Sequence, residues 1–305
     1  MTPEPTPDAH ETDRESSAAA VTDAVAAVDV PGLTPAVFGA GVVGCVAVDR
    51  FVSVLANVPF DPVVAPPTVR TAAGILALVA VVSTLIAIAV VDRRATVRVG
   101  LLFAAVFGTL PLVTPETTLI AVVAVVGGGA LALVGTSGVA TPTEWTYRTV
   151  RQRLVALGFV TALALTLAGA TGVLDGGRNP GAFVTLAAIA AVGTRSEGSR
   201  LAWLAGLLAA AAVVVASALS PFVVGSTLLV AFGITGVPSL LVAGAVAGVV
   251  AAAVAGLSRG AVPLVVGAAL LLFAGVPTTF PRALTLLVGA ALVLVVDGDT
   301  TEVGA

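Results

Sequence analysis

A chain of 305 residues that is 58% hydrophobic and 10% charged, with a mean hydropathy of +1.12, cannot be an ordinary soluble domain. Soluble domains carry about 25% charged residues, so the solvent of this chain must be largely lipid. The lone Cys45 rules out an intrachain disulfide, and the lone His10, in a polar tail, removes His-dependent metal and Ser–His chemistry from the apolar body.

Residues 1–30 are acidic and rich in Pro, Ser and Thr, with seven acids against Arg14. They lack the basic start and apolar core of a signal peptide and read as a disordered, acidic cytoplasmic tail. Residues 31–296 form the membrane domain, with 13 Arg against seven acids, and residues 297–305 form a second acidic tail. A basic body between acidic tails suits an anionic membrane surface.

Within the body, helix starts carry a recurring device, a capping residue followed by Pro, which fits the first helical position. It stands at Thr34-Pro35, Thr114-Pro115, Thr141-Pro142, Asn179-Pro180 and Ser220-Pro221. These marks predict spans near 35–56, 70–91, 96–113, 115–135, 142–174, 180–194, 200–219, 221–236, 238–257, 260–276 and 281–296. The expected fold is all-α, a polytopic bundle of about ten (nine to eleven) transmembrane helices with short loops, neighbours in sequence packing antiparallel. Spans 180–194 and 221–236 are the short ones. About fifteen helical residues cover roughly 22 Å, less than the hydrocarbon core.

In the first span, Gly39, Gly41 and Gly44 spell G-x-G-x-x-G, with Asp61 at nearly the distance of a ribose-binding acid. No strand precedes them and no strand–helix alternation follows, so close helix packing is the better reading and no cofactor is expected. Asp49-Arg50 is the one charged pair inside an apparent span. The run before it is too short to cross, so the helix carries both charges into the membrane. An intramembrane charge is a functional candidate by default. Adjacent helical residues do not face each other, so each should reach a different partner or snorkel outward, and nearness to the outer boundary favours snorkelling over a coupling site; the leading partner for Asp49 is Arg70 at the start of the next span.

The largest polar interruption is Thr141–Arg153. Thr141, Pro142 and Glu144 read as a capped helix start, and Glu144 stands four residues before Arg148. Trp145, Tyr147, Arg148, Arg151 and Arg153 make up a membrane-boundary anchor or a docking site for a partner. With Arg93, Arg94 and Arg98 in one loop and Arg195 and Arg200 in another, the positive-inside rule places these loops and the N-terminus in the cytoplasm, in the cell membrane. The same rule does not choose between ten and eleven crossings. Depending on whether 221–236 crosses, either Arg259 or Arg282 is inside.

Gly244 and Gly248 form G-x-x-x-G, and Gly127, Gly128 and Gly129 form a triplet; both read as packing surfaces. Val266-Gly-Ala-Ala-Leu270 recurs as Val288-Gly-Ala-Ala-Leu292, in too few residue types to mark an internal repeat.

All 14 basic residues are Arg. Arg-only basicity, acidic tails and an Ala/Val/Gly-rich body resemble the composition of halophilic archaeal proteins, which implies an environment and no activity. No paired acids lie in mid-membrane spans, and there is no P-loop and no metal cluster. The chain is expected not to be an enzyme, with no catalytic, cofactor or metal residues. The specific function is unknown. The leading class is transporter- or permease-like, for a small neutral or apolar solute. The alternative is a non-catalytic membrane subunit or scaffold that anchors partner proteins. The expected partners are the lipid bilayer and, through small-residue helix faces, other membrane subunits or a second copy; no nucleic acid is expected. A transporter should have a polar-lined cavity at mid-depth, a scaffold a closed apolar interior.

Overall fold

Helix follows from this sequence because lipid offers no hydrogen-bond partners, so each apolar run must satisfy its backbone internally. The computed structural model describes residues 35–55, 67–136, 147–196, 199–221 and 238–294. Among the described residues the chain forms α1 (Pro35–Leu55), α2 (Pro67–Val91), α3 (Ala95–Phe107), α4 (Thr118–Gly135) and α5 (Tyr147–Ala170). It continues with α6 (Arg178–Ala191), α7 (Arg200–Leu219), α8 (Ser239–Arg259), α9 (Val262–Ala274) and α10 (Phe280–Leu294). Short 3₁₀ turns at Leu110–Leu112 and Pro115–Thr117 join α3 to α4, and another, Val192–Ser196, extends α6. No strand occurs among the described residues, and six helices are long and apolar enough to cross a membrane by themselves. The all-α polytopic bundle expected from the sequence is the fold. The predicted span 221–236 and the predicted start at Thr141–Glu144 lie outside the described residues.

The arrangement is centred on α10. Apart from Arg282 and Thr285 it is apolar, and from Ala283 to Leu294 each residue is buried. Helices α1, α2, α4, α5 and α9 pack against it. A helix of fifteen residues spans about 22 Å, which suits a central position where other helices, not lipid, meet its ends. On the outside, α7 packs on α8 and presents Leu201, Trp203, Leu204, Leu207 and Leu208 outward, an apolar surface that suits lipid contact.

Polar groups in the interior are handled locally. Thr84, Thr166, Thr185 and Thr285 each donate a hydroxyl to the carbonyl four residues back, at 2.6 to 2.8 Å. This lets a threonine sit in an apolar bundle without an unmet donor.

The helices alternate in direction, and side-chain contacts tie their ends into two faces. At one face Arg94 Nη1 donates to the Thr136 carbonyl at 3.2 Å, joining the α2–α3 turn to the end of α4. Arg259 Nη1 donates to the Arg195 carbonyl at 3.0 Å, joining the end of α8 to that of the α6 extension. Gln152 Nε2, near the start of α5, donates to the Leu294 carbonyl at 3.4 Å, at the end of α10. Pro35 and Ala36 share a groove there with Val91, Gly260 and Val262. The bundle therefore begins and ends at this arginine-rich face. The positive-inside rule left Arg259 and Arg282 interchangeable; the structure puts Arg259 here and Arg282 at the opposite face, so the ends of α7 and the start of α8 also lie toward that opposite face.

Candidate functional site

The opposite face holds a cavity of about 540 Å³ between α1, α2, the end of α9 and the start of α10. It runs from Thr71, in the second turn of α2, to Val81, ten residues further on, so at 1.5 Å per residue it reaches about 15 Å, about two-fifths of the length of α2. Its wall is aliphatic and aromatic: Val46, Ile75, Leu78, Leu112 and Phe273. Its polar groups are Asp49, Thr71, Thr279, Arg282 and Thr285.

Each polar group is placed by its helix. Asp49 stands late in α1, and the antiparallel packing of α1 on α2 brings it level with the first turns of α2. Arg282 and Thr285 lie three apart near the start of α10, on one helical face, so both reach the same space. Thr279 immediately precedes α10, and its carbonyl accepts the Ala283 N–H at 2.9 Å. Gly74 lines the cavity with no heavy atom within 4 Å of where a Cβ would stand, so its missing side chain contributes open volume.

The charges are opposite and are not closed on each other. Asp49 is half-buried and makes no hydrogen bond or ion pair with any side chain among the described residues. Arg282 is also half-buried and has a polar or electrostatic contact of its own. The Thr285 hydroxyl gives its proton to the Pro281 carbonyl at 2.8 Å, which leaves its lone pairs to accept.

Of the residues singled out in the sequence, Asp49 lines this cavity, while the side chains of Arg50 and Arg70 lie outside the described residues. Thr71, next to Arg70, is at the cavity, so the α1–α2 hairpin does bring that end of α2 to Asp49. Arg282 entered the sequence reading only as a charge of undecided side. The signal that marks it is an arginine in the first turn of an otherwise apolar helix, directly after Pro281.

At the arginine-rich face, Trp145 and the side chain of Arg148 lie outside the described residues. Tyr147 is 80% exposed, and the Arg151 guanidinium lies over its ring at 5.8 Å, a cation–π contact. Arg153 is half-buried near the start of α5. The space beside Arg151 and Gln152 is only about 10 Å³. Asp92, buried in the α2–α3 turn, accepts the Arg94 backbone N–H through Oδ1 at 2.7 Å, which sets up the start of α3.

The glycine motifs are packing devices in part. Of Gly39, Gly41 and Gly44, all inside α1, only Gly39 is pressed, with Val266 and Leu292 against it. Gly248 of the G-x-x-x-G lies against the Ala190 backbone, and a Cβ on Gly193 would stand 2.8 Å from Gly248 Cα. The two Val-Gly-Ala-Ala-Leu segments meet: a Cβ on Gly267 would stand 2.9 Å from the Gly289 carbonyl oxygen, so they serve as facing surfaces of α9 and α10.

No curated protein and no solved structure matches the chain. A family model does match, over residues 35–294, which covers the ten helices of the described residues. The chain belongs to this integral membrane family of unknown function, DUF8068.

Proposed function

We propose that the protein is permease-like and moves a small solute of no net charge, with the cavity beside Asp49 and Arg282 as the solute site. The observation that supports this most is a cavity that carries both charge signs and reaches from one face to mid-helix. Charged side chains inside a membrane are costly, and where retained they commonly mark a solute path. A scaffold has no use for such a space. The lining supplies a carboxylate, a guanidinium and three hydroxyls, suited to binding rather than to bond-breaking, so a non-enzymatic role is part of the proposal.

The same reading places the protein in the cell membrane with the arginine-rich face and the N-terminus in the cytoplasm, supported by the bias of arginines toward that face. The cavity then opens outward. Access from both sides tests the reading. Thr285→Cys in a Cys45→Ser background should react with a membrane-impermeant thiol reagent from the cavity face and, as the protein cycles, from the arginine-rich face. Reaction from the cavity face alone under all conditions would contradict a permease.

The alternative, a membrane subunit that anchors partner proteins or a second copy, draws on one observation: Tyr147 exposed with Arg151 over its ring. Such a pair presents an aromatic face and a cation together, which suits a protein or a headgroup surface.

A further inference from the structure

A second surface that runs from polar to apolar lies at the arginine-rich face, away from the cavity beside Asp49. Helix α7 turns Gly206 to α8, where a Cβ would stand 2.6 Å from the Ala247 carbonyl oxygen. Arg200, Trp203, Leu204 and Leu207 follow one another at the i, i+3, i+4, i+7 spacing, which puts them on a different stripe of the helix. All of them are exposed, and with Ser199 they line one open pocket of about 470 Å³. We infer that this pocket binds one phospholipid with an anionic headgroup. Its polar end is a set of donors. The Arg200 guanidinium and the Trp203 indole N–H make no hydrogen bond or ion pair among the described residues. Ser199 Oγ accepts the Ala202 N–H at 3.2 Å, which leaves its own proton to give.

The order of these groups along α7 matches a lipid standing in the membrane. The donors occupy the first turn, and Leu204 and Leu207 come one and two turns deeper, at the depth of an acyl chain. From Ser199 to Leu207 the helix rises about 12 Å. A phosphate accepts from all three donors, and a net negative headgroup adds attraction to Arg200. Tryptophan suits this boundary, with an apolar ring and a polar N–H. Other occupants leave something unmet. A free anion would leave Leu204 and Leu207 uncovered. A second copy, related by a twofold axis along the membrane normal, would set Arg200 against Arg200. Residues 222–237, outside the described residues, contain no acid and offer Arg200 no negative charge.

Tryptophan fluorescence tests this. The chain has two tryptophans, so Trp145→Phe leaves Trp203 as the sole reporter, beside the pocket. The full chain with that exchange is placed in phosphatidylcholine vesicles containing rising fractions of a lipid with brominated acyl chains, which quench tryptophan on contact. Brominated phosphatidylglycerol should quench at about fivefold lower mole fraction than brominated phosphatidylcholine, the scale of one arginine at an anionic surface. Adding Arg200→Gln should make the two lipids equal while leaving quenching by brominated phosphatidylcholine unchanged, which shows that the helix face is intact. Molar salt, which screens the charge without altering the chain, should shrink the same preference. Equal quenching by the two lipids with Arg200 in place overturns the inference, as does a preference that survives Arg200→Gln. Absence of quenching by either lipid also overturns it, because protein rather than lipid then covers this side of α7.

Discussion

Glycine is used in two opposite ways in this bundle. Where α6 and its extension meet α8, and where α3 meets α4, glycines bring backbones into contact: a Cβ on Gly100 would stand 2.5 Å from the Gly128 carbonyl oxygen, and Gly248 lies against Ala190. In α1 and α2, Gly41, Gly44 and Gly74 have nothing within 4 Å of a Cβ position, and a cavity opens beside Gly74. In lipid there is no hydrophobic drive between helices, so close backbone approach has to supply the packing energy. The contrast is between glycines that hold helices in contact and a glycine, Gly74, that keeps space. A motif such as small-x-x-x-small reveals that glycine is present; its neighbours decide which use it serves.

The largest effect should come from filling a contact glycine. Gly248→Ala places a methyl against the Ala190 backbone, which cannot rotate away, and should destabilise by about 1–3 kcal/mol or more. Thermal unfolding in detergent measures it. Gly74→Ala, in open space, should go the other way: a helical Gly→Ala exchange favours the helix by up to about 1 kcal/mol. Equal losses at both positions would break the comparison.

Next in size is the turn that starts α3. Asp92→Ala removes the acceptor for the Arg94 N–H and should cost about 1 kcal/mol, while Asp92→Asn keeps an acceptor and should cost less. If Asn costs as much as Ala, the carboxylate charge rather than the hydrogen bond is what matters. The cavity charges should affect stability least. Because no ion pair joins Asp49 to Arg282, Asp49→Asn and Arg282→Gln should add in unfolding free energy to within about 0.5 kcal/mol. A larger coupling would mean the two charges support each other in the folded protein. At the arginine-rich face, replacing Arg148, Arg151 and Arg153 together by Lys should leave insertion and abundance unchanged, since Lys keeps the positive bias. Loss of one specific co-purifying protein in that variant would favour the anchoring alternative.

Much of the fold was legible because lipid makes the signal simple: long apolar runs separated by proline, arginine and glycine. The helix starts at Pro35 and Arg200 and the ends at Val91 and Gly135 follow from those marks. The central place of α10 was not legible. Its apolar content differs little from that of α7, and only packing separates the buried helix from the exposed one. Half of the site was legible too. Asp49 stands out as a charge in an apolar run, whereas Arg282 sits close enough to a span boundary to pass for a topology marker. Joining the two takes the α1–α10 contact, which spans most of the chain and leaves no periodic trace.

Thiol labelling along α2 tests most directly whether the space beside Gly74 is a solvent-filled site. Gly74 lines the cavity and Leu76, two residues on, is 60% exposed on the outer surface of the bundle. In a Cys45→Ser background, reconstituted in vesicles, Gly74→Cys should react with a membrane-impermeant thiol reagent added at the cavity face. Leu76→Cys, at nearly the same depth but facing lipid, should stay unreactive, because the reactive thiolate needs water. Labelling at Gly74→Cys alone is the predicted result. Protection of both positions, or equal labelling of both, would contradict a water-filled cavity between α1, α2 and α10.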